Sequence, residues 1–426
     1  MDAPSPRDPA RPLEPVALGA RRSALGVLGL PHFRALWSSS LLQFLAMQIH
    51  LFTLQWLVTE LTASRTLLGL LIAIQGATVA LFSPIGGVAT DRFAKRSLLA
   101  GTRVSAAVLV LGLAALLHAD RIALPILFAA AAFGGLISAM SQPATQAYVF
   151  DVVGSENTQP AVALNSAGIG LGQMAGPALA GVLIAGGGIV GSWTAAAAGL
   201  LLAAALLAAI PVRGRATGRR RAPWRELREG FAYVVAHPPV WLALLACAMA
   251  FFNGAIFAMR PVFARHVLGV GSEGMGVMAA SAGLGTLLGA IVATALPDFR
   301  RPGLAIAFSM LAFSGCVLLY AFAFSYPYVL TVEFASGLAA QLWQISTFSG
   351  LQLAVPEHLR GRVVGMVFMV AQLAQVGGVF VGALADRVGD QVAMGVFGAI
   401  PMTLLIALIT FGWGGLSRLG REAGPR

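Results

Sequence analysis

The sequence predicts an all-α integral membrane protein, with twelve transmembrane helices in two pseudo-symmetric bundles of six. Of the 426 residues, 58% are hydrophobic and only 11% are charged, and the mean hydropathy is +0.82. A soluble domain cannot bury so much apolar surface, so the solvent of this chain is lipid. The apolar runs are long and unbroken, whereas barrel strands alternate apolar and polar residues, so the spans are helices.

The twelve predicted spans follow from length. A helix crosses the bilayer core with about 20 apolar residues at a rise of about 1.5 Å per residue. Twelve segments satisfy this requirement, and we number them spans one to twelve. Their centres lie near residues 48, 78, 108, 135, 172, 200, 249, 283, 311, 338, 372 and 402.

The segments between and beyond the spans predict the domain organisation. The N-terminal segment is rich in proline and arginine and lacks the apolar run and cleavage site of a secretory signal. Residues 213–238 contain a basic run and then an amphipathic stretch, 223–235, which predicts a short helix on the inner membrane surface. The expected units are a cytosolic tail at 1–32, helix bundles at 33–212 and 239–413, the linker at 213–238 and a cytosolic tail at 414–426.

The formal net charge of +11 is explained by topology and needs no nucleic-acid partner. With both termini placed in the cytosol, 23 of the 28 Lys and Arg residues fall on the inner side, Arg103 among them. Inner loops of membrane proteins carry such an excess of basic residues. The distribution predicts a multi-pass protein of the cell inner membrane with both termini cytosolic.

The loop between spans two and three, residues 86–96, is the most distinctive stretch of the chain. It places Asp91, Arg92, Lys95 and Arg96 within six residues. The loop after span eight, 298–301, repeats an aspartate followed by a basic pair. Offsets of 207 and 202 residues align further positions of the two halves: Gly69 with Gly276, Gly76 with Gly283, Asp91 with Asp298, Gln173 with Gln375 and Gly176 with Gly378.

These features resemble the major facilitator superfamily, whose inner-loop motif runs Gly-x-Leu-Ala-Asp-Arg-x-Gly-Arg-Arg/Lys. The matching residues are Gly87, Asp91, Arg92, Lys95 and Arg96, and the departures are Ala89, Thr90 and Ala94. Span five, from Gly168 to Gly181, resembles the Gly-x-x-x-Gly-Pro-x-x-Gly-Gly motif of drug exporters and proton antiporters. The resemblance implies a secondary transporter that works by alternating access, with spans one, four, seven and ten along the central path.

Three shorter segments are similar to the branch that contains the enterobactin (siderophore) exporter and drug-efflux proteins. They are Trp56-Leu57-Val58, Gln142-Pro143-Ala144 and Leu359-Arg360-Gly361-Arg362-Val363. One feature departs from many proton-coupled members, which carry an arginine inside span four. Residues 122–148 contain none.

The inner loop is predicted to act as a gate. Asp91 is expected to face the positive end of the span eleven helix, and Arg92 and Arg96 are expected to pair with Asp151. Making and breaking such contacts would set the balance of outward-open and inward-open states. The alternative is a positive-inside anchor, which needs basic residues but not Asp91. The gating set is Gly87, Asp91, Arg92, Lys95, Arg96 and Asp151.

Polar residues on the path-lining spans fall on continuous helical faces. Polar groups that face lipid are costly, so we expect these faces to line a substrate cavity, with interhelical hydrogen bonding as the alternative. In span one, Gln48 and Gln55 share one face, and Gln43 and His50 share another. The predicted cavity residues are Gln48, Gln55, Ser138, Gln142, Gln146, Asn253, Arg260, Gln341 and Gln344.

Two charges stand apart within the second half. Arg260 in span seven and Glu333 in span ten are predicted to lie at similar depth, and burying either alone costs about 2.5–3.5 kcal/mol. We therefore expect them to pair. Glu333 is the leading candidate for proton coupling and His50 the second; the alternatives are a structural outer-gate ion pair and a hydrogen-bonded helix contact.

The remaining motifs concern packing and the absence of catalytic chemistry. In span five, close helix approach is expected at Gly172, Gly176, Pro177 and Gly181. No nucleophile elbow, phosphate loop or metal-ligand spacing is present, so we expect no enzyme activity, cofactor or metal.

The sequence therefore predicts an exporter of a small amphipathic organic compound, such as a siderophore, drug or metabolite, in exchange for protons. A cavity rich in glutamine, methionine and aromatic residues favours a large neutral or weakly anionic compound. The expected partners are this small molecule, protons and the lipid bilayer, with no nucleic acid. An importer and a non-transporting receptor or scaffold with the same fold are the alternatives.

Overall fold

The computed structural model describes residues 24–154, 156–214, 231–295, 302–356, 363, 366–367, 370 and 372–418. Within these ranges the regular structure is helical throughout. Nine helices of the described part are long and apolar enough to cross a membrane. An all-α membrane protein is therefore confirmed.

We name the main helices of the described ranges α1 to α11. They are α1 (Pro31–Leu61), α2 (Arg65–Arg92), α3 (Lys95–His118), α4 (Leu124–Val153), α5 (Thr158–Ala208), α6 (Pro238–Val267), α7 (Gly271–Ala295), α8 (Pro302–Leu319), α9 (Tyr326–Ala354), α10 (Leu373–Val388) and α11 (Asp390–Arg418). We call α1–α5 the first half and α6–α11 the second half. A short helix, Ala24–Val27, precedes α1.

The predicted span centres fall on these helices, with one exception. Spans one to four correspond to α1–α4, seven to ten to α6–α9, and twelve to α11. The centre of span eleven, residue 372, directly precedes α10, and the residues before it are only partly described. The inner loop after span eight, 298–301, and linker residues 215–230 lie outside the described residues, whereas 231–236 are helical.

Two helices are interrupted. The 51-residue α5 contains spans five and six as two arms joined at Gly188, whose φ of 66° is a conformation that favours glycine. In α6 three α-helical segments, Pro238–Ala248, Ala250–Asn253 and Ala255–Val262, are followed by a π-helical turn, Phe263–Val267. The junction residues Met249 and Gly254 keep helical φ and ψ angles, so only the π-helical turn changes the register of side chains, at the end of α6.

The repeat of the sequence appears as two equivalent helix pairs between the halves. In the pair α2–α10, Gly69 lies against the Gly378 carbonyl group. In the pair α5–α7, a Cβ on Gly276 would lie 3.0 Å from the Pro177 carbonyl oxygen. Gly69 and Gly276 are the residues that the 207-residue offset aligns, so the repeat places small residues at both crossings.

Both pairs close the same end of the molecule. The residues of α2 that contact α10 lie in the N-terminal part of α2, as at Gly76, where a Cβ would lie 2.6 Å from the Cβ of Gln375. The residues of α7 that contact α5 likewise lie in the N-terminal part of α7, as at Gly283, which lies against Met174. We call this the paired end; it carries the connections at 62–64, 268–270 and 389. At the other end of α2, residues 81–85 are all exposed, so the second half covers α2 at the paired end and leaves its other end uncovered.

Candidate functional site

A cluster of polar contacts joins the two halves at the paired end. Asp386 on α10 accepts hydrogen bonds from the backbone N–H groups of Arg65 at 2.9 Å and Thr66 at 3.0 Å. The hydroxyl groups of Thr66 and Ser64 donate to the same carboxylate at 2.6 and 3.1 Å. The Arg65 guanidinium donates to both carboxylate oxygens of Asp390, at 2.9 and 3.0 Å. We call these five residues the paired-end lock.

A second ion pair lies beside the lock. Glu60 at the end of α1 accepts from Arg265 on α6 at 3.2 Å and from the indole N–H of Trp56 at 2.8 Å. The Arg265 guanidinium lies 5.7 Å from the centre of the Trp56 ring. Arg65 and Arg265 are two of the five basic residues that the charge count leaves on the outer side, but their acidic partners were not predicted. A signal for these pairs is present in the sequence, because opposite charges flank the short connections that are predicted at the same end.

The predicted pairing of Arg260 and Glu333 is confirmed. The guanidinium donates from Nε to Oε1 at 2.7 Å and from Nη2 to Oε2 at 2.8 Å, a paired geometry that fixes both side chains. The hydroxyl of Tyr320 on the turn after α8 donates to Glu333 as well. Glu333 is fully buried, whereas the Arg260 side chain is 12% exposed. The charge of Glu333 is thus satisfied by three donors.

The predicted cavity residues differ in exposure. Gln142, Gln146 and Gln344 are exposed, and Gln48, Gln55, Ser138 and Gln341 are partly buried. Asn253 is fully buried: its amide contacts the Met310 sulfur at 2.8 Å, and its oxygen accepts from Ser314 at 3.0 Å. Its prediction as a cavity residue is therefore wrong in this state, because Asn253 joins α6 to α8.

His50 on α1 is enclosed within the first half and is 1% exposed. Its ring centre lies 6.3 Å from that of Trp193 on α5. Among the described groups, Nδ1 of His50 has no hydrogen-bond partner. One turn along α1, Thr53 bonds to Ser192 at 2.7 Å, so the α1–α5 contact is polar at this depth.

The inner loop makes a different ion pair from the one predicted. Lys95 donates to Asp151 at 2.6 Å, whereas the side chain of Arg96 donates to the Ile210 carbonyl oxygen at 2.6 Å and Arg92 is exposed. The lysine lies at the first turn of α3, directly opposite the end of α4. The predicted contact of Asp91 with the start of span eleven falls on residues outside the described part.

The same region holds the chain that leaves α5. The Tyr148 hydroxyl donates to the Val212 carbonyl oxygen at 2.6 Å, and the backbone N–H of Arg96 donates to Arg213 at 3.2 Å. Gly214 follows with φ of 74°, where a Cβ would lie 3.0–3.2 Å from Lys95, Asp151 and Tyr148. The motif therefore anchors the first residues of the linker to α3 and α4.

Arg103 lies in a different environment from the one predicted. The charge count placed it on the cytosolic side, but it is fully buried within α3. Its Nε donates to Oε1 of Gln43 on α1 at 3.0 Å, and Nε2 of Gln43 donates to Ser141 on α4 at 2.7 Å. This chain of bonds joins three helices inside the first half.

The small residues of span five lie at helix contacts. A Cβ on Gly172 would lie 2.8 Å from the Cβ of Phe44, and one on Gly176 would lie 2.5 Å from the Cβ of Gln48, both on α1. Gly181 instead faces α7, where a Cβ would lie 2.7 Å from the Ser272 carbonyl oxygen. The first arm of α5 therefore contacts one helix of each half. Among the described residues, no group of three His, Cys, Asp or Glu side chains is arranged to hold a metal ion.

Comparison with known proteins identifies relatives over most of the chain. A family model described as Major Facilitator Superfamily matches residues 36–378. The chain is 24% identical over 387 residues to the "Enterobactin exporter EntS" of Shigella boydii serotype 4 (strain Sb227), covering 89% of this chain and 92% of that protein. It is 23% identical over the same length, with the same coverage, to the "Enterobactin exporter EntS" of Escherichia coli O1:K1 / APEC.

Solved structures show the same fold at low identity. A bacterial homolog to human lysosomal transporter, Spinster, in an inward-facing and unoccupied conformation, matches with a TM-score of 0.69 and 15% identity, covering 92% of this chain and 96% of that one. A POT family transporter in complex with a thioalcohol conjugated peptide matches with a TM-score of 0.73 and 14% identity, covering 91% and 96%.

Proposed function

Because this chain belongs to the Major Facilitator Superfamily, we propose that it exports a small amphipathic organic compound from the cytosol by alternating access, in exchange for protons. The observation that carries the proposal is the closed paired end, built from two helix pairs that the sequence repeat relates. A molecule closed at one end by reversible polar contacts and uncovered at the other has the form that alternating access requires.

The proposed membrane topology rests on the helices and on the charge distribution of the sequence. We assign twelve crossings to α1–α11 by counting the two arms of α5 separately, and we place six on each side of the 213–238 linker. The excess of basic residues on the inner loops supports cytosolic termini in the cell inner membrane. In this orientation the paired end faces outward, and the uncovered end of α2 opens to the cytosol, where an exporter collects its cargo.

The chemical class of the cargo is inferred from the exposed polar residues and the relatives. Gln142, Gln146 and Gln344 are uncharged and exposed on the path-lining helices α4 and α9. Amide groups bind hydroxyl, carbonyl and catechol groups without requiring a net charge. The names of the exporters that match the chain mention enterobactin, so we place siderophores first, ahead of drugs and other metabolites.

Proton coupling is assigned to Glu333. It is a fully buried carboxylate held by Arg260 and Tyr320, and buried ionisable groups inside membrane proteins commonly serve ion pathways. Protonation would weaken the pair with Arg260 and free both side chains to move. Asp386 and Asp390 lie at the paired end and are assigned to gating rather than to coupling.

Everted membrane vesicles test the direction and the driving force together. Vesicles that contain the protein and vesicles without it receive enterobactin or, separately, the cationic dye ethidium, and the lumen is acidified by ATP hydrolysis. Accumulation that depends on the acid lumen and on the protein is the expected result. Release of preloaded compound under the same gradient would indicate import, and the absence of flux from correctly folded protein would indicate a receptor; either outcome contradicts the proposal.

A further inference from the structure

Arg103 carries a buried charge that the described contacts leave partly unsatisfied. Its relative exposure is 0%. Nε donates to Gln43, but neither Nη1 nor Nη2 has a hydrogen-bond partner among the described residues. A guanidinium presents five N–H donors and accepts none. Four of its five N–H groups are therefore without a partner among the described residues, in the interior of a membrane protein.

The described residues around Arg103 supply polar groups but no counter-charge. Gln43 and Ser141 are neutral, and the Tyr148 hydroxyl is engaged by the Val212 carbonyl oxygen. Asp151, on the same helix as Ser141, is bound by Lys95 at 2.6 Å. Ser40, one turn before Gln43 on α1, is buried, and its hydroxyl has no partner among the described groups. The region thus collects unpaired donors around one positive charge.

An uncompensated charge of this kind is expensive. Removing an ion from water costs several kcal/mol unless an opposite charge and hydrogen bonds replace the hydration. Arginine does not escape the cost by losing its proton. Water molecules would satisfy the N–H groups but would leave the charge itself without compensation.

We propose that Arg103 binds a small monovalent inorganic anion, of the size and charge of chloride, where α1, α3 and α4 meet. The anion accepts from Nη1 and Nη2, and the Ser40 hydroxyl, one turn from Gln43 on α1, is an additional neutral donor. Full enclosure of Arg103 selects a monatomic ion over an organic carboxylate. The site is separate from Glu333 and from the exposed glutamines, so its occupancy stabilises the first half and takes no part in the proposed exchange.

The test is thermal stability of the purified full-length protein at constant ionic strength. Sodium gluconate, whose anion is too large to be enclosed, is replaced stepwise by sodium chloride or sodium bromide, and unfolding is followed by intrinsic fluorescence. We expect a saturable rise in Tm of about 3 °C in both halides. Arg103→Gln should lose the dependence, whereas Arg121→Gln, which removes an exposed arginine from the α3–α4 connection, should retain it.

The Tm values of the wild-type protein test the proposal even if Arg103→Gln does not fold. Equal Tm values in gluconate and in the halides overturn the proposal, because an enclosed anion must stabilise the state that binds it. A halide effect that persists in folded Arg103→Gln overturns the location. An anomalous diffraction peak for bromide beside the guanidinium, in crystals grown in sodium bromide, supports it. None of these readouts uses transport, so the outcome is independent of the proposed export.

Discussion

Asp386 on α10 caps the first turn of α2, because its carboxylate accepts the backbone N–H groups of Arg65 and Thr66. A helix start leaves backbone donors unpaired, and the residue just before the helix usually satisfies them. Here the hydroxyl of Ser64 at that position accepts the Leu67 N–H group at 3.3 Å and itself donates to Asp386. The other half of the protein supplies the rest of the cap, so closing the paired end completes a helix and opening it exposes the donors.

The first prediction is that Asp386→Ala shifts the protein towards opening at the paired end. Loss of a capping side chain costs about 1 kcal/mol, which is about a fivefold change in a two-state population. Spin labels at the exposed positions Gly187 and Phe324, one in each half, report the separation of the halves by pulsed electron paramagnetic resonance. Asp120→Asn changes a carboxylate outside the lock and serves as the control. An unchanged distance distribution in Asp386→Ala would show that the cap does not favour closure.

The second prediction ranks the two ion pairs of the paired end. The Arg65–Asp390 pair has two-point geometry and side-chain exposures of 26% and 11%, whereas Arg265–Glu60 has one bond of 3.2 Å and exposures of 36% each. A double-mutant cycle with Arg65→Gln and Asp390→Asn should give a coupling energy of about 1 kcal/mol for closure, measured with the same labels. The cycle for Arg265→Gln and Glu60→Gln should give less than about 0.5 kcal/mol. The reverse order would contradict the ranking.

The extent to which the site could be predicted depends on the distance in sequence between partners. Helix positions followed from the length of the apolar segments. The Arg260–Glu333 pair followed from the similar depth of the two residues in the membrane, because an isolated charge in lipid is costly and an opposite charge at the same depth removes most of that cost. Depth alone does not show which of several basic residues at the same level binds an acidic one. Arg92 and Arg96 were predicted to bind Asp151, whereas Lys95 does so in the structure. The lock joins residues more than 300 positions apart, and local patterns contain no information on such pairings.

Asn253 shows a second limit, which concerns the neighbours of one helical face. Asn253 and Arg260 are seven residues apart, so they share a face of α6 at 100° per residue. In the structure Asn253 contacts Met310 and Ser314 on α8, whereas Arg260 pairs with Glu333 on α9. A periodic pattern gives the face of a helix but not the neighbour that covers this face at each depth, so it does not separate a cavity-lining residue from a buried one.

The third prediction concerns the glycine crossings. A Cβ on Gly69 would overlap the Gly378 carbonyl group, so Gly69→Ala should force α2 and α10 apart and favour opening of the paired end. Gly276→Ala should have a smaller effect, because the nearest atom is 3.0 Å away. Gly112→Ala is the control: its Cβ would meet nothing within 4 Å, and alanine favours the helix by about 1 kcal/mol. Equal label distances in Gly69→Ala and Gly112→Ala would contradict the proposed tight crossing.

The fourth prediction separates a structural role of Glu333 from a role in coupling. Glu333→Gln leaves Arg260 without its counter-charge, and breaking a buried pair from one side costs about 3–5 kcal/mol. We expect a large loss of thermal stability in this variant. Tyr320→Phe removes one of the three donors and keeps the ion pair, so it should cost only about 1 kcal/mol.

The double variant Glu333→Gln/Arg260→Gln removes both charges and should recover most of the stability, since neutral replacements of buried ion pairs are often tolerated. The double variant should therefore provide folded protein that lacks the Glu333 carboxylate. If Glu333 carries the protons, flux in everted vesicles driven by an acid lumen is abolished in the double variant and retained in Tyr320→Phe. Proton-driven flux that persists in the folded double variant would assign the pair to structure alone and would move the coupling site to another residue, with His50 the next to test.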